Sequence, residues 1–217
     1  MRNCTLVIGN KNYSSWSLRP WLALHQFGIE FEEIRIPLYT PDSEELIRRY
    51  SPSGKVPVLI DETVTIWDSL AILEYLAEKY PEQYWWPSDP TARAIARSIS
   101  AEMHSGFLAL RTEMPMNCRV KRPGLAMTPA ALQQSDQVQT IWRTCRQQYG
   151  QEGEWLFGSF TIADAMFAPV VLRFKTYDVV LEQTCQTYAD SILALNAIQL
   201  WLNAAQNEAE YLTDFER

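Results

Sequence analysis

Apolar residues along the chain fall into two kinds of pattern. Up to about residue 80, short β-like runs alternate with helical stripes; beyond it only helical stripes recur. Thr5-Leu-Val-Ile-Gly9 is a compact apolar run closed by glycine, which predicts a buried strand. Leu18, Trp21, Leu22, Ala23 and Leu24 form a helical stripe that stops at Gly28, a C-terminal signal. Phe31 to Ile36 alternates acidic and apolar residues, as a half-buried strand does, and Ser43 to Tyr50 reads as a short helix. Val56-Pro-Val-Leu-Ile60 and Val64-Thr-Ile66 flank Asp61-Glu62 closely enough for a hairpin. Asp68 to Lys79 carries Leu70, Ile72, Leu73, Tyr75 and Leu76 and opens on its own acid, which suits a helix N-terminus. The order β-α-β-α-β-β-α predicts a right-handed parallel crossover followed by an antiparallel hairpin in one mixed four-stranded sheet. Pro81 to Pro90, with Trp85-Trp86-Pro87, has the proline density of a linker. Helices are expected at 91–113, 130–149, 162–177 and 189–206. The expected organisation is an α/β domain over 1–80, a linker over 81–90 and an all-helical domain over 91–217.

Composition and charge narrow the function. The net charge is −7, divided as −3 over residues 1–80 (8 bases, 11 acids) and −4 over 81–217 (11 bases, 15 acids), so neither half is a basic arm. That balance argues against nucleic-acid backbones and anionic lipid surfaces as partners. No apolar run approaches the roughly 20 residues of a membrane-spanning helix, and Met1 to Gly9 lacks the pattern of a signal peptide, so a cytoplasmic protein is expected. Cys4, Cys118, Cys145 and Cys185 stand at offsets of 114, 27 and 40, with none of the close spacings of a zinc or redox motif. With His25 and His104 as the only histidines, no metal site is expected.

Three segments carry polar chemistry. Ser14-Ser-Trp-Ser-Leu-Arg-Pro-Trp clusters hydroxyls at the start of the first helix, where N–H groups and the dipole favour an anion. Plain N-capping accounts for the same serines. Pro20 has no N–H, so this helix is expected either to begin late or to carry a loosened turn. Ser53-Gly-Lys-Val-Pro-Val-Leu-Ile60 begins a strand with a proline, which leaves neighbouring main-chain groups free for a ligand. Trp67-Asp-Ser-Leu sets an acid and a hydroxyl at another helix N-terminus, where Asp68 and Ser69 either cap the helix or hold an ammonium and a carboxylate.

Taken in order, these segments resemble the glutathione transferases, and the resemblance spans nearly the whole chain. Ser14, Ser15, Ser17, Arg19, Ala23 and Leu24 are similar to the S-S-x-S-x-R-x-x-x-A-L pattern of the serine-type zeta class, with tau-like features. Ser51-Pro-Ser-Gly-Lys-Val-Pro57 resembles the family's N-P-x-G-K-V-P segment, and Asp68-Ser69 its E-S pair. Trp16 stands where the zeta pattern has cysteine. The resemblance implies a thioredoxin-like N-terminal domain with an all-α C-terminal domain, glutathione as co-substrate, no metal, a homodimer and small electrophilic substrates. It implies that Ser14 faces the glutathione sulfur, with Ser15 as the alternative. It further implies that Val56 offers its main chain beside a cis Pro57, that Lys55 lies near the glycyl carboxylate, and that Asp68 and Ser69 hold the γ-glutamyl end. The energetics suit a serine. Lowering a thiol pKa of about 8.5 by two units takes about 2.7 kcal/mol. A hydroxyl hydrogen bond to a charged sulfur supplies about 1.5–3 kcal/mol and the helix terminus about 0.3–1 kcal/mol.

In the helical half, His104, Phe107, Leu108 and Arg111 recur at i, i+3, i+4 and i+7 and predict one face of a continuous helix. Core packing with a snorkelling arginine explains that stripe. The functional alternative has His104, Phe107 and Arg111 lining an electrophile pocket, with Gly106 marking a close approach inside the helix. Thr161-Ile-Ala-Asp164 reads as a capping box with a structural role. The expected activity is glutathione transfer to small electrophiles. A maleylacetoacetate isomerase-like or peroxidase activity and a non-catalytic partner-docking role are the alternatives.

Overall fold

A computed structural model describes residues 4–215; Met1 and Arg217, the outer limits of the two expected domains, lie outside them. Strand β1 (Cys4–Ile8), helix α1 (Ser15–Gln26) and strand β2 (Phe31–Arg35) form the crossover unit. Helix α2 (Ser43–Arg48) leads to the hairpin of β3 (Val58–Asp61) and β4 (Val64–Trp67), and α3 (Ser69–Lys79) closes the unit. The sheet order is β2-β1-β3-β4, with β1 parallel to β2 and antiparallel to β3, and β3 antiparallel to β4. The sheet is the mixed four-stranded one that the apolar runs predict. Alternation along β1 separates two cores: Leu6 and Ile8 join α1 and α3 on one face, while Val7 meets Ile47 of α2 on the other.

The remainder is helical: α4 (Pro90–Ser105), α5 (Leu108–Glu113), α6 (Pro129–Tyr149), α7 (Ile162–Tyr177), α8 (Gln183–Ala194) and α9 (Asn196–Gln206). The larger core runs without a break from β1 and α1 into these helices, through Met103, Trp142, Phe167, Phe174 and Trp201. Helix α7 is buried along almost its whole length and opens on the expected capping box, with the Asp164 carboxylate accepting from Thr161 N. Among the described residues no helix is long and apolar enough to cross a membrane.

Three expectations are corrected. Of the two alternatives for helix α1, the late start is overturned: it begins at Ser15 with Pro20 inside it, because Ser14 caps it and accepts from Ser17 N. The single helix expected over 91–113 is two, because Gly106 ends α4 in an extended conformation and Phe107 turns left-handed at φ 57°. A Cβ at Gly106 would meet the Glu102 carbonyl oxygen at 2.8 Å, so the close approach is to its own preceding turn. The helix expected over 189–206 starts earlier, at Gln183, and breaks at Leu195, whose ψ of 130° is extended. Polar Gln183, Thr184 and Gln186 hid the first turn, although Cys185, Tyr188, Ala189 and Ile192 share its buried face.

After α9 the chain returns to the sheet. The Glu208 carboxylate accepts from Lys11 N at 2.6 Å and Asn12 N at 3.0 Å, and Arg35 pairs with Glu210 at 3.0 Å. This strap carries Phe215 to the mouth of a cavity described below.

Candidate active site

Two cavities meet between the sheet domain and the helices, sharing Trp16, Lys55 and Val56 in their walls. The smaller, about 450 Å³, is bounded by Pro57, Asp68, Ser69 and His104. Its floor is the N-terminus of α3. Asp68 has φ 77° and ψ 131°, a backbone conformation L residues rarely adopt and one that the surroundings must hold in place. In it, Asp68 Oδ1 accepts from Leu70 N at 2.9 Å and Ala71 N at 3.3 Å, while Oδ2 faces His104 Nε2 at 3.0 Å. Ser69 is buried, and its hydroxyl oxygen has no hydrogen-bond partner among the described residues. The Val56-Pro57 peptide is cis. Neither main-chain group of Val56 is engaged in a hydrogen bond among the described residues. A free hydroxyl, a carboxylate, a free amide edge and an exposed lysine therefore converge on one space.

The larger cavity, about 590 Å³, holds the hydroxyls of Ser14 and Ser15 at the start of α1. Ser14 Oγ donates to Ser17 Oγ at 2.7 Å, and Ser17 Oγ also accepts from Gly9 N at 3.1 Å. Ser15 Oγ accepts from Arg173 Nη2 at 3.1 Å. Arg173 also donates to the carbonyls of Arg111 and Met114, so it ties α7 to the end of α5 and to α1. Arg111 lines the cavity, as do Leu108, Tyr39 and Phe215 at its mouth. The cavity walls contain Lys55, Arg111 and Arg173 and, among the described residues, no carboxylate.

The residues singled out in sequence are thus divided. Lys55, Val56, Pro57, Asp68 and Ser69 share the smaller cavity, and Ser14, Ser15 and Arg111 share the larger. His104, expected beside Arg111, lies instead in the smaller cavity against Asp68. Phe107, expected in the electrophile pocket, is buried in the core and lines neither cavity. The left-handed turn at Phe107 is the reason: it rotates residues after Gly106 off the face that His104 occupies. Arg173 was missed, and so was the environment of Arg19. A signal existed for Arg173, the single charge in the apolar run Val170-Val-Leu-Arg-Phe174. The protein's own thiols are poor nucleophiles, since burial pushes Cys118, Cys145 and Cys185 up to about 12.

Residues 13–79 match the family model described as the glutathione S-transferase N-terminal domain. The chain is 44% identical over 77 residues to the dichloromethane dehalogenase of Methylophilus leisingeri, covering 32% of this chain and 29% of that protein. It is 35% identical over 96 residues to a probable maleylacetoacetate isomerase of Caenorhabditis elegans, 44% of each chain. The chain therefore spans less than half the length of these curated relatives. In fold it is similar to a Burkholderia glutathione transferase homolog solved with bound glutathione. There the TM-score is 0.72 at 23% identity, over 95% of this chain and 100% of that one.

Proposed function

We propose that the chain is a glutathione S-transferase, the match over residues 13–79 supporting that reading. From that premise, it binds glutathione across the two cavities and transfers it to a small electrophile. The observation that carries this reading is their junction at Trp16, Lys55 and Val56. The smaller cavity suits the γ-glutamyl end, an ammonium against Asp68 and a carboxylate against Ser69 Oγ and the first amides of α3. Lys55 suits the glycyl carboxylate and the free main chain of Val56 the cysteinyl unit. A ligand so held directs its sulfur toward Ser14 and Ser15 in the larger cavity. The thiol gives its proton to solvent, a serine hydroxyl donates to the resulting thiolate, and the sulfur lone pair forms the carbon–sulfur bond as a leaving group departs with its electron pair. The serine never ionises.

The test is conjugation of a chlorinated dinitroaromatic, with Ser14→Ala and Ser15→Ala beside the wild type. Loss of the hydroxyl that faces the sulfur is expected to lower kcat/KM about 10- to 100-fold, the worth of a hydrogen bond to a charged group. No conjugation by the wild type above the uncatalysed rate, with no retention on immobilised glutathione, would favour the docking role. A glutathione-dependent isomerase is the second reading, favoured by the likeness to the probable maleylacetoacetate isomerase of Caenorhabditis elegans. Trp16 at the zeta cysteine position weighs against it. A homodimer belongs to the same proposal, and exposed Val64 and Trp67 on β4 and Ile95 on α4 suit a second copy.

A further inference from the structure

A charge buried in protein needs an opposite charge or converging dipoles, because losing its hydration is strongly unfavourable. Around Ser15 the protein gathers three guanidinium groups and gives none of them a carboxylate partner among the described residues. Arg19 lies 4.2 Å from the centroid of the Trp16 ring and Arg111 lies 5.2 Å from the same ring. Arg173 donates directly to Ser15 Oγ at 3.1 Å. Arg19 is 2% exposed and Arg173 5%, and Arg19 Nε and Nη1 have no hydrogen-bond partner among the described residues. The carboxylate whose field reaches Arg19 is Asp68, in the other cavity and already facing His104. Burial, with Arg111 and Arg173 nearby, brings Arg19 down to about 9, and burial beside Arg111 brings Arg173 down to about 10. Both stay charged at neutral pH.

The hydroxyl geometry separates the two serines. Ser14 spends its hydrogen on Ser17 Oγ, inside the protein. Ser15 accepts from Arg173, so its own hydrogen is left for a ligand. We infer that Ser15 is the donor to the glutathione sulfur and that Arg173 is its positioning residue, polarising the hydroxyl and, with Arg19 and Arg111, forming an uncompensated cationic cluster that favours thiolate over thiol. This rests on the glutathione-transferase reading and assigns the work within its thiol site. An anion that appears only when the substrate thiol ionises is the partner this cluster lacks. The field acts without reorganisation, since Arg19 and Arg173 are buried, Arg173 is held by the carbonyls of Arg111 and Met114, and Arg111 donates to the carbonyl of His104.

Ultraviolet titration of the thiolate in the protein–glutathione complex tests this. Ser15→Ala and Arg173→Gln are each expected to leave about tenfold less thiolate at neutral pH than the wild type, and Ser14→Ala to have the smaller effect of the two serine variants. Arg111→Gln, which spares the Ser15–Arg173 contact, is expected to act in the same direction by about threefold. It keeps the test open should Arg173→Gln fail to fold. The double variant Ser15→Ala/Arg173→Gln is expected to fall short of the sum of the singles, because the pair is coupled. An unchanged thiol titration in the arginine variants, with only the KM of a carboxylate-bearing electrophile raised, would overturn the inference. So would a shift in Ser14→Ala without one in Ser15→Ala. A wild-type complex that titrates like free glutathione would instead defeat the transferase reading itself.

Discussion

The two cavities are built from the same three shared residues and opposite electrostatics. The smaller sets one carboxylate, Asp68, against one lysine, Lys55, with His104 Nε2 facing Asp68 and the dipole of α3 behind Ser69. The larger is lined by Lys55, Arg111 and Arg173 with no carboxylate among the described residues, and Arg19 lies buried nearby beneath Trp16. A balanced site suits a zwitterion that arrives with both charges fixed. An unbalanced one suits a charge that is absent at binding and appears during the reaction. Binding and activation are thereby assigned to different walls, and each can be disturbed without the other.

The largest departure from that division is expected from Asp68→Asn. The amide keeps an oxygen to cap Leu70 and Ala71 but loses the charge that an ammonium needs. The KM for glutathione is expected to rise up to about 100-fold with kcat little changed, as for truncating one partner of a desolvated charge pair. A fall in kcat with unchanged KM would mean that the balanced cavity also serves the chemistry. Next comes His104→Leu, which removes the donor facing Asp68 Oδ2 at 3.0 Å. About a tenfold rise in the same KM is expected, the worth of one hydrogen bond to a carboxylate. Rescue by His104→Gln, whose amide nitrogen reaches as far as Nε2, would show that the donor matters rather than the bulk.

How much of this was legible in the sequence differs between the cavities for a physical reason. The smaller cavity is written in contiguous segments, Ser53 to Pro57 and Trp67 to Ser69, whose main chain and caps form its walls, so local rules find them. The order of elements in the sheet domain and the Thr161–Asp164 box were legible for the same reason: turns, caps and periodicity are short-range. The larger cavity is assembled from α1, α5, α7 and the returning strap, residues as far apart as Ser15 and Arg173. No local signal joins those two. Where a local rule misled, it did so by continuing too far: His104, Phe107, Leu108 and Arg111 keep helical spacing straight through Gly106. The left-handed turn at Phe107 then sends them to three different surroundings: His104 to the smaller cavity, Phe107 to the core, and Leu108 and Arg111 to the larger cavity.

Leu108 gives the smallest expected effect and the sharpest separation of the two cavities. It is 70% exposed at the mouth of the larger cavity, on the far side of the turn from His104. A leucine so placed gains burial only when an apolar ligand covers it. Fully burying a leucine side chain contributes about 1.5–3 kcal/mol, so partial cover contributes roughly 0.7 kcal/mol, a factor of about three. Leu108→Ser is therefore expected to raise the KM of an apolar electrophile about threefold, to leave that of a small polar one unchanged, and to leave the KM for glutathione at its wild-type value. Steady-state kinetics with the two electrophiles at saturating glutathione reads the first pair, and varying glutathione reads the last. An equal rise in both KM values would mean that the turn at Phe107 couples the cavities, since Leu108 and His104 flank it on either side.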